Sequence, residues 1–302
     1  MPDSKDFVSI ILVNYNTKTL AKECIDSIEQ HTHNINYEII LVDNASTDGS
    51  QEMFEEDDRV TLIKSEENLG FGRANNLGMK NAKGDYFFLL NTDTRLLNNA
   101  VKYFLDYEKT CSQPSVLGGW LIGSDGNPTL SYGDFPTFSS LIGMAARVYT
   151  DHLPGRKPAY CPHQEDSHTT PKEVDFICGA DMFLPRSIYE ETGGFDPDFF
   201  MYYEEAEWQY RMGRRNIPRI LLPEPRIIHY EGGGKKVDCC LDNKLRHLSM
   251  TYASMFTYMR KTSSFPKYML FRILFCTLRL LPILLRKDNW RNKRRYLSLL
   301  FR

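Results

Sequence analysis

The stretch GDYFFLLNTD, residues 84–93, joins five apolar residues, Tyr86 to Leu90, to a polar triplet that ends in Asp93. An apolar run without polar alternation predicts a strand that is buried on both faces of a parallel sheet. The carboxyl ends of such strands face the ligand crevice, so we expect Asp93 at its floor. A carboxylate there suits Mg²⁺ or Mn²⁺ that bridges substrate phosphates. The alternative is an Asx turn that only ends the strand.

Three further apolar runs precede this strand, at residues 7–13, 37–42 and 60–65. A helical pattern follows each of them, and strands that alternate with helices predict a parallel sheet with right-handed crossovers. Neither GxGxxG after the first strand nor GxxxxGK[ST] is present, which argues against a dinucleotide fold and a P-loop. The fold class is therefore α/β, with residues 1–110 as a nucleotide-binding half.

Four side chains of three kinds collect where these strands end: an aromatic ring, two carboxylates and a cation. A carboxylate can accept a hydrogen bond from a nucleotide base, and a guanidinium matches phosphate. Together they predict a site for a nucleoside diphosphate, made by Tyr15, Asp43, Arg73 and Asp93.

The pattern in the second half of the chain predicts shorter strands with mixed pairing. Strands are predicted at 116–122 and 129–132 around the hairpin turn 124–127, at 174–184 with a break at 179–181, and at 217–222 and 226–230. Helices are predicted at 141–148, 185–191 and 242–261, and residues 154–171 are expected to form a mobile lid. A helix that begins near Glu204 places Glu205, Trp208 and Met212 on one face, with Glu205 beside the core in the first turn.

Composition excludes several classes of protein. With 302 residues, 42% hydrophobic and 25% charged, the chain is neither disordered nor a repeat protein of biased composition. Its seven cysteines are scattered without a CxxC pair, which predicts neither disulfides nor a zinc site and favours the reducing cytosol. No secretory signal pattern precedes the first strand, and we expect no nucleic-acid partner.

The C-terminal tail differs in charge from the rest of the chain. Residues 265–302 carry ten Lys or Arg and one Asp, a charge of +9, while residues 1–264 carry 27 basic and 38 acidic residues, −11. Residues 268–285 are apolar apart from Arg272 and Arg279, and a basic cluster follows. We favour an interfacial anchor on an anionic membrane over a membrane span, with an oligomer contact as a third interpretation. This predicts a cytoplasmic protein, peripheral on the inner face of the plasma membrane.

The order of the motifs resembles glycosyltransferase family 2, the inverting, metal-dependent sugar transferases with a GT-A fold, and most of all its bacterial rhamnosyltransferase-like branch. The resemblance covers about residues 6–235. It rests on the motifs VSIILVNYN (8–16), EIILVDNASTDGS (38–50), ENLGFGRANNLG (67–78), GDYFFLLNTDT (84–94), ICGADMFLPRS (177–187), GGFDPDFFMYYEEAEWQYR (193–211) and IIHYEGGG (227–234). Seven motifs in one order are far more specific than any one alone. They imply a GT-A domain over 1–238, with an acceptor-binding half at 111–238, followed by a helical region at 239–302.

The resemblance also implies roles for single residues. Tyr15 and Asp43 would contact the nucleotide base, Arg73 the diphosphate, and Thr92 and Asp93 the ribose and metal, with Asn76 as a further donor contact. His229 would be a second metal ligand or a diphosphate contact. The second acid of the family's Glu-Asp-x-Asp motif, its general base, falls on Glu205. Acceptor contacts would come from Trp120, Asp181 and Glu204, although Trp120 also fits a core position and Asp181 also fits the cap of a bulge.

Two departures from the family pattern bear on activity. The chain has Glu rather than Asp at 205 and 207, and it keeps only the last acid of DxD in Asn91-Thr92-Asp93. The implied function is inverting transfer from a nucleoside-diphosphate sugar, with dTDP-rhamnose as one candidate, to a saccharide or lipid-linked acceptor in polysaccharide synthesis. The alternative is a weak or inactive sugar-nucleotide-binding scaffold protein. Nucleotidyl transfer is disfavoured, because no Gly-rich loop with Lys or Arg follows the first strand.

Overall fold

A computed structural model describes residues 6–149, 169–230 and 241–301. The strands are β1 (Phe7–Asn14), β2 (Asn36–Asp43), β3 (Val60–Lys64), β4 (Tyr86–Asn91), β5 (Thr94–Leu96), β6 (Val116–Ile122), β7 (Tyr132–Gly133), β8 (Lys172–Glu173), β9 (Phe176–Ile177), β10 (Asp181–Pro185) and β11 (Arg219–His229). The helices are α1 (Lys18–His31), α2 (Ser50–Glu55), α3 (Phe71–Asn81), α4 (Ala100–Glu108), α5 (Phe138–Ala146), α6 (Arg186–Thr192), α7 (Glu204–Gly213), α8 (Leu241–Thr262), α9 (Phe265–Leu285) and α10 (Trp290–Leu300).

The described strands form a nine-stranded mixed sheet in the order β3-β2-β1-β4-β10-β6-β11-β5, with β8 paired to β11. Strands β1 to β4 are parallel, as their buried apolar runs predict, whereas β10 runs antiparallel to both β4 and β6. A separate two-stranded sheet pairs β7 with β9. The α/β class and the mixed sheet are thus confirmed, with the parallel strands concentrated in the nucleotide-binding half.

Helices cover both faces of this sheet. Because successive side chains of a strand point to opposite faces, each central strand contributes side chains to two hydrophobic cores. Ile10 and Phe88 pack with residues of α1 and α4 on one face. Ile11, Phe87 and Trp208 pack with residues of α3, α6 and α7 on the other. This double burial explains why these strands read as unbroken apolar runs.

The second half differs from its sequence prediction at three places. The turn at 124–127 forms, since Gly123 N donates to Asn127 O (2.7 Å), and the expected hairpin begins there, with Ile122 bridged antiparallel to Pro128 and Thr129 N donating to Leu121 O (2.9 Å). The predicted strand at 129–132 does not extend this pairing: only Tyr132–Gly133 is a strand there, and it pairs with β9. The two strands predicted around Pro223 and Pro225 are one strand, β11, with an irregularity between Leu222 and Arg226.

The described residues fall into two compact units. One lies within Met1–Asp134, Pro162–Phe200 and Glu205–Gly234, and the other within Phe135–Cys161, Met201–Glu204 and Lys235–Arg302. The second unit therefore takes in α5 in addition to the predicted C-terminal helices α8, α9 and α10. Most of the predicted lid at 154–171 lies outside the described residues.

Candidate active site

The strands β1, β2 and β4 end at one edge of the sheet, because β1 pairs in parallel with both neighbours. A chain of hydrogen bonds crosses this edge. Asn14 Nδ2 donates to Asp43 Oδ2 (2.8 Å), and Thr17 Oγ1 donates to Asn14 Oδ1 (2.8 Å). Thr17 Oγ1 also lies 3.0 Å from Thr92 Oγ1. Asp43 and Thr92 are predicted site residues, whereas Asn14 and Thr17 are not among the predictions; their position at the end of an apolar strand was the available signal.

Asp43 is fully buried and organises the loop that follows β2. Its Oδ1 accepts from Ser46 N (2.9 Å) and Gln51 Nε2 (2.7 Å). A carboxylate has about four acceptor positions, so the bonds from Asn14, Ser46 and Gln51 leave about one for a nucleotide base. A base could reach it only if neighbouring side chains moved. Tyr15, at the same edge, is 41% exposed and open to stacking.

Arg73 lies in the first turn of α3, where its Nε donates to Leu69 O (2.7 Å). No described acid forms an ion pair with Arg73, so its charge is not neutralised within that part of the chain. Asn76, one turn later, bonds both ends of its amide to Phe195: its Nδ2 donates to the carbonyl (2.7 Å), and its Oδ1 accepts from the backbone N–H (2.9 Å). This indicates that Asn76 positions the loop that leads to α7, and its contact with a donor stays a prediction.

Asp93 and His229 lie together at this edge although they are far apart in sequence. The short strand β5 directly follows Asp93 and pairs antiparallel with the end of β11, which puts Thr94 opposite His229. Asp93 Oδ1 is 3.3 Å from His229 Nε2, and the two side chains are 14% and 12% exposed. His229 Nδ1 is buried without a hydrogen-bond partner among the described residues. Both residues are predicted from the sequence, but β5 is not, because a three-residue strand is too short to show a pattern.

Glu205 lies in the first turn of α7, as predicted. Its Oε2 is buried and has no hydrogen-bond partner among the described residues. Burial raises the pKa of this carboxyl group, and the backbone N–H groups of Glu205 and Ala206 at the helix start oppose that rise. Desolvation is therefore a larger influence on the pKa of Glu205 than the helix N-terminus.

One short segment connects Glu205 with the strand that leads to Asp93. A Cβ added at Gly179 would lie 3.8 Å from Glu205 Cβ, so the two residues are in near contact. The next residue, Ala180, accepts a hydrogen bond from Asn91 N (2.9 Å), two positions before Asp93. The buried carboxyl group and the Asp93–His229 pair therefore border the same region at the carboxyl end of β4.

Comparison with known proteins agrees with this geometry. The profile of the family described as "Glycosyl transferase family 2" matches residues 9–193, more than half of the chain. This chain belongs to glycosyl transferase family 2. Among curated relatives, the N-acetylglucosaminyl-diphospho-decaprenol L-rhamnosyltransferase of Mycobacterium tuberculosis is 24% identical over 238 residues, 75% of this chain and 76% of the relative. The low-salt glycan biosynthesis hexosyltransferase Agl10 of Haloferax volcanii is 26% identical over 216 residues, 70% of this chain and 63% of the relative.

Two solved structures share the fold of this glycosyltransferase. GalNAc-T7 with UDP, GalNAc and Mn²⁺ matches with a TM-score of 0.57 at 17% identity, over 90% of this chain and 55% of that chain. The mannosyltransferase PcManGT of Pyrobaculum calidifontis, with GDP-Man and Mn²⁺, matches with a TM-score of 0.55 at 14% identity, over 99% and 85%. The predicted GT-A fold is thereby confirmed.

The Asp93–His229 pair of this glycosyltransferase fits part of a divalent-metal site. A carboxylate oxygen and an imidazole nitrogen are both ligands of Mn²⁺, and Mg²⁺ also binds through one or two carboxylates with substrate phosphates completing its shell. No cluster of three or more His, Cys, Asp or Glu at metal-binding distance occurs among the described residues. The pair would therefore supply two ligands, and the diphosphate of a donor would supply others.

The predicted acceptor contacts are more deeply buried than an open acceptor groove requires. Trp120 is 8% exposed and packs edge to face on Tyr132, with ring centroids 5.8 Å apart. Asp181 is fully buried, and its Oδ2 accepts from Gly119 N (2.6 Å). Its Oδ1 has no partner among the described residues, and burial raises its pKa well above the usual range. Glu204 is 3% exposed. Their contacts with an acceptor stay predictions.

Glu207, where the family pattern has Asp, has a structural role. It is buried and accepts two hydrogen bonds from Arg211 Nε, at 2.9 and 3.1 Å. Arg211 in turn donates to the carbonyl oxygens of Thr192 and Gly194, the latter at 2.7 Å. The pair ties α7 to the turn that ends α6, and a longer acid at 207 is consistent with that function.

Proposed function

We propose that this glycosyltransferase transfers a sugar with inversion from a nucleoside-diphosphate sugar to a hydroxyl of a saccharide or lipid-linked acceptor, with a divalent ion held by Asp93 and His229. The proposed setting is cell-surface polysaccharide synthesis, which is supported by the words glycan biosynthesis in one relative's name and N-acetylglucosaminyl-diphospho-decaprenol in the other's. The rhamnosyltransferase name favours dTDP-rhamnose as the first donor to test.

The observation that carries the proposal is the contact of residues 179–180 with both Glu205 and the end of β4. It brings a desolvated carboxyl group to the edge where the predicted donor residues converge. A buried carboxylate with a raised pKa is a stronger proton acceptor than an exposed one, provided that it is ionised at the working pH.

The residues act on two groups of the reaction: the departing diphosphate and the attacking hydroxyl of the acceptor. A divalent ion at Asp93 and His229 would neutralise the charge that develops on the departing diphosphate. Arg73 adds a fixed positive charge for the same group. Glu205 removes the proton of the acceptor hydroxyl as its oxygen bonds to the anomeric carbon, while the bond from that carbon to the phosphate oxygen breaks and its electron pair leaves with the diphosphate. Attack from the face opposite the leaving group inverts the configuration.

A catalytically weak donor-binding scaffold remains the second candidate. It is favoured by the raised pKa of Glu205, since a protonated carboxyl group cannot act as a base. Release of nucleoside diphosphate from a panel of nucleotide sugars, with Mn²⁺ or with EDTA, separates the two. Even slow release that EDTA abolishes contradicts an inactive scaffold. Thermal shift with each donor identifies the sugar, because a ligand that binds only the native state raises its stability.

The metal assignment predicts that Asp93→Ala abolishes Mn²⁺-dependent transfer and that His229→Ala weakens it, while both variants stay folded. Asp93→Ala removes the charged oxygen ligand, whereas His229→Ala removes only the neutral one of the two ligands. Asp58→Ala is the matched control, because Asp58 is an exposed Asp of the same unit. Normal divalent-ion dependence in Asp93→Ala would contradict the assignment.

A further inference from the structure

Helix α9 buries only one of its faces within the second unit. Tyr268, Phe271, Phe275 and Ile283 are buried. Phe271 contacts the ring of Phe138 in α5 with centroids 6.1 Å apart, and Phe275 contacts Phe256 in α8 at 5.5 Å. These rings hold α9 against its neighbours, so this face already has its partners.

The opposite face, here called the α9 outer face, is apolar and exposed. Its members are Met269, Leu270, Ile273, Leu274, Leu280, Leu281, Leu284 and Leu285, with exposures from 36% to 72%. They recur at the spacing of one helix face and span about 160° of the helix circumference. Thr277, the polar residue among them, donates its hydroxyl to Ile273 O (2.8 Å), so it presents no free donor. Contiguous apolar patches of this kind mark interaction sites.

The two arginines of α9 do not interrupt this outer face. Arg272 places its Cζ 4.8 Å from the ring centroid of Phe256 and donates to Tyr268 Oη (3.0 Å). Arg279 places its Cζ 5.8 Å from the ring of Tyr252. Both charges thus face the aromatic residues of α8. Between Lys267 and Arg286 the outer face carries no charge.

A basic rim follows the outer face directly. It consists of Arg286, Lys287, Arg291, Lys293 and Arg294, beside Trp290, which is 55% exposed. No described acid pairs with Lys287 or Arg291. Tryptophan and basic side chains next to an apolar face are the pattern of helices that lie in the headgroup region of anionic bilayers.

We propose that the α9 outer face and its basic rim dock the protein in the plane of an anionic lipid bilayer, with the leucine and isoleucine side chains in the acyl boundary and the rim on the headgroups. By length and hydropathy α9 could also cross a membrane, being 21 residues long with a mean hydropathy of 1.8 over an 18-residue window. Crossing would strip Arg272 and Arg279 of their aromatic partners and expose four buried side chains of this unit. In-plane docking keeps every one of these contacts. Anionic lipids cover the cytoplasmic face of the plasma membrane, which places the protein there.

The test is sedimentation of the full chain with vesicles of phosphatidylcholine, alone or mixed with phosphatidylglycerol. We expect binding to the mixed vesicles that weakens with salt. The double variant Leu270→Glu, Ile273→Glu should bind the mixed vesicles at least about tenfold more weakly, since it removes two apolar contacts and adds two charges that the anionic lipids repel. The double variant Lys287→Glu, Arg291→Glu should lose affinity by a similar factor, and it should do so on anionic vesicles only.

Leu97→Glu is the matched control, because Leu97 is a 37% exposed leucine of the other unit. Circular dichroism confirms that each variant is folded. Point variants are preferable to deletion of residues 265–302, which would remove the aromatic core of the second unit. Unchanged sedimentation of the outer-face variant would overturn the proposal. Protein that resists alkaline extraction from cell membranes would indicate a span instead, and a dimer that the same variant dissociates without any vesicle binding would indicate an oligomer contact. This test is independent of sugar transfer, so its failure leaves the proposed reaction standing.

Discussion

Glu205 shows how two influences on one side chain compete. The partial positive charge at a helix N-terminus favours the carboxylate, whereas removal from water favours the neutral acid. In this structure desolvation is the larger influence, and the pKa of Glu205 is raised. A general base must be ionised, so we expect kcat/KM to fall as pH decreases through a pKa above the usual value for Glu. The proton acceptor is then half-titrated at a higher pH than an exposed glutamate would be.

Glu205→Gln is expected to lower sugar transfer by about 10² to 10⁴-fold, because it removes the proton acceptor at nearly constant volume. Donor binding, measured by thermal shift, should persist. Glu190→Gln is the matched control, since Glu190 is an exposed glutamate of α6. Glu205→Asp, which restores the family residue, should retain much of the activity.

The neighbouring acid provides the decisive comparison for the position of the base. Successive helix residues point about 100° apart, so Glu204 and Glu205 would approach a bound acceptor from different directions. Wild-type transfer in Glu205→Gln together with an inactive Glu204→Gln would show that the motif assignment is off by one residue.

Asp181 provides a prediction about stability. Its folded-state pKa is raised by burial, so the folded state binds the proton more tightly than the unfolded chain does. Wild-type stability therefore declines as pH rises above the unfolded pKa of about 4. Asp181→Asn keeps an oxygen for the bond from Gly119 N and carries no charge. The melting temperature of the variant relative to the wild type should increase with pH above about 4, as thermal melts can measure. A difference in melting temperature between the variant and the wild type that does not change with pH would contradict this account.

At the scale of elements, the start of α3 depends on a glycine. Gly70 has φ +81° and ψ −175°, a backbone region that costs other residues about 1 to 3 kcal/mol, and a Cβ there would lie 2.1 Å from Phe200 O. The same carbonyl accepts from Phe71 N (3.0 Å). The close approach of the backbone thus fixes the loop that precedes α7 to the helix that carries Arg73.

Gly70→Ala is accordingly expected to lower the free energy of unfolding and to reduce transfer, because the loop at Phe200 must move. Gly126→Ala is the matched control, since Gly126 has φ +80° but nothing within 4 Å of an added Cβ. Urea unfolding should show a cost of about 1 to 2 kcal/mol for the control and a larger one for Gly70→Ala. Equal costs for the two variants would show that the contact with Phe200 adds nothing to the strain of positive φ.

At the scale of the whole molecule, charge and apolar surface are distributed unevenly. Residues 265–302 carry +9 and the remainder −11, a difference that the net charge of −2 conceals. The basic part coincides with the exposed leucines of α9 and not with the candidate active site. Attraction to anionic lipid and recognition of a donor therefore rest on different residues, which is why their tests can be separated.

The sequence by itself determined the parallel half of the fold and the identity of most candidate site residues. Short apolar runs such as Tyr86 to Leu90 that alternate with helical patterns indicate parallel strands buried between two helical layers. Polar residues at the ends of those runs must then meet at one edge. Local sequence also determined α9 and its basic rim, since their pattern lies within one continuous segment.

Tertiary structure alone decided the pairings and environments that depend on distant residues. The strand β5 and the approach of Asp93 to His229 come from pairing with β11, which no local pattern encodes. The hairpin after β6 does not extend beyond the bridge between Ile122 and Pro128, and residues 132–133 pair instead with β9, which comes from later in the chain. The raised pKa values of Glu205 and Asp181 and the inward orientation of Arg272 and Arg279 follow from burial and packing, which exist only once the chain is folded.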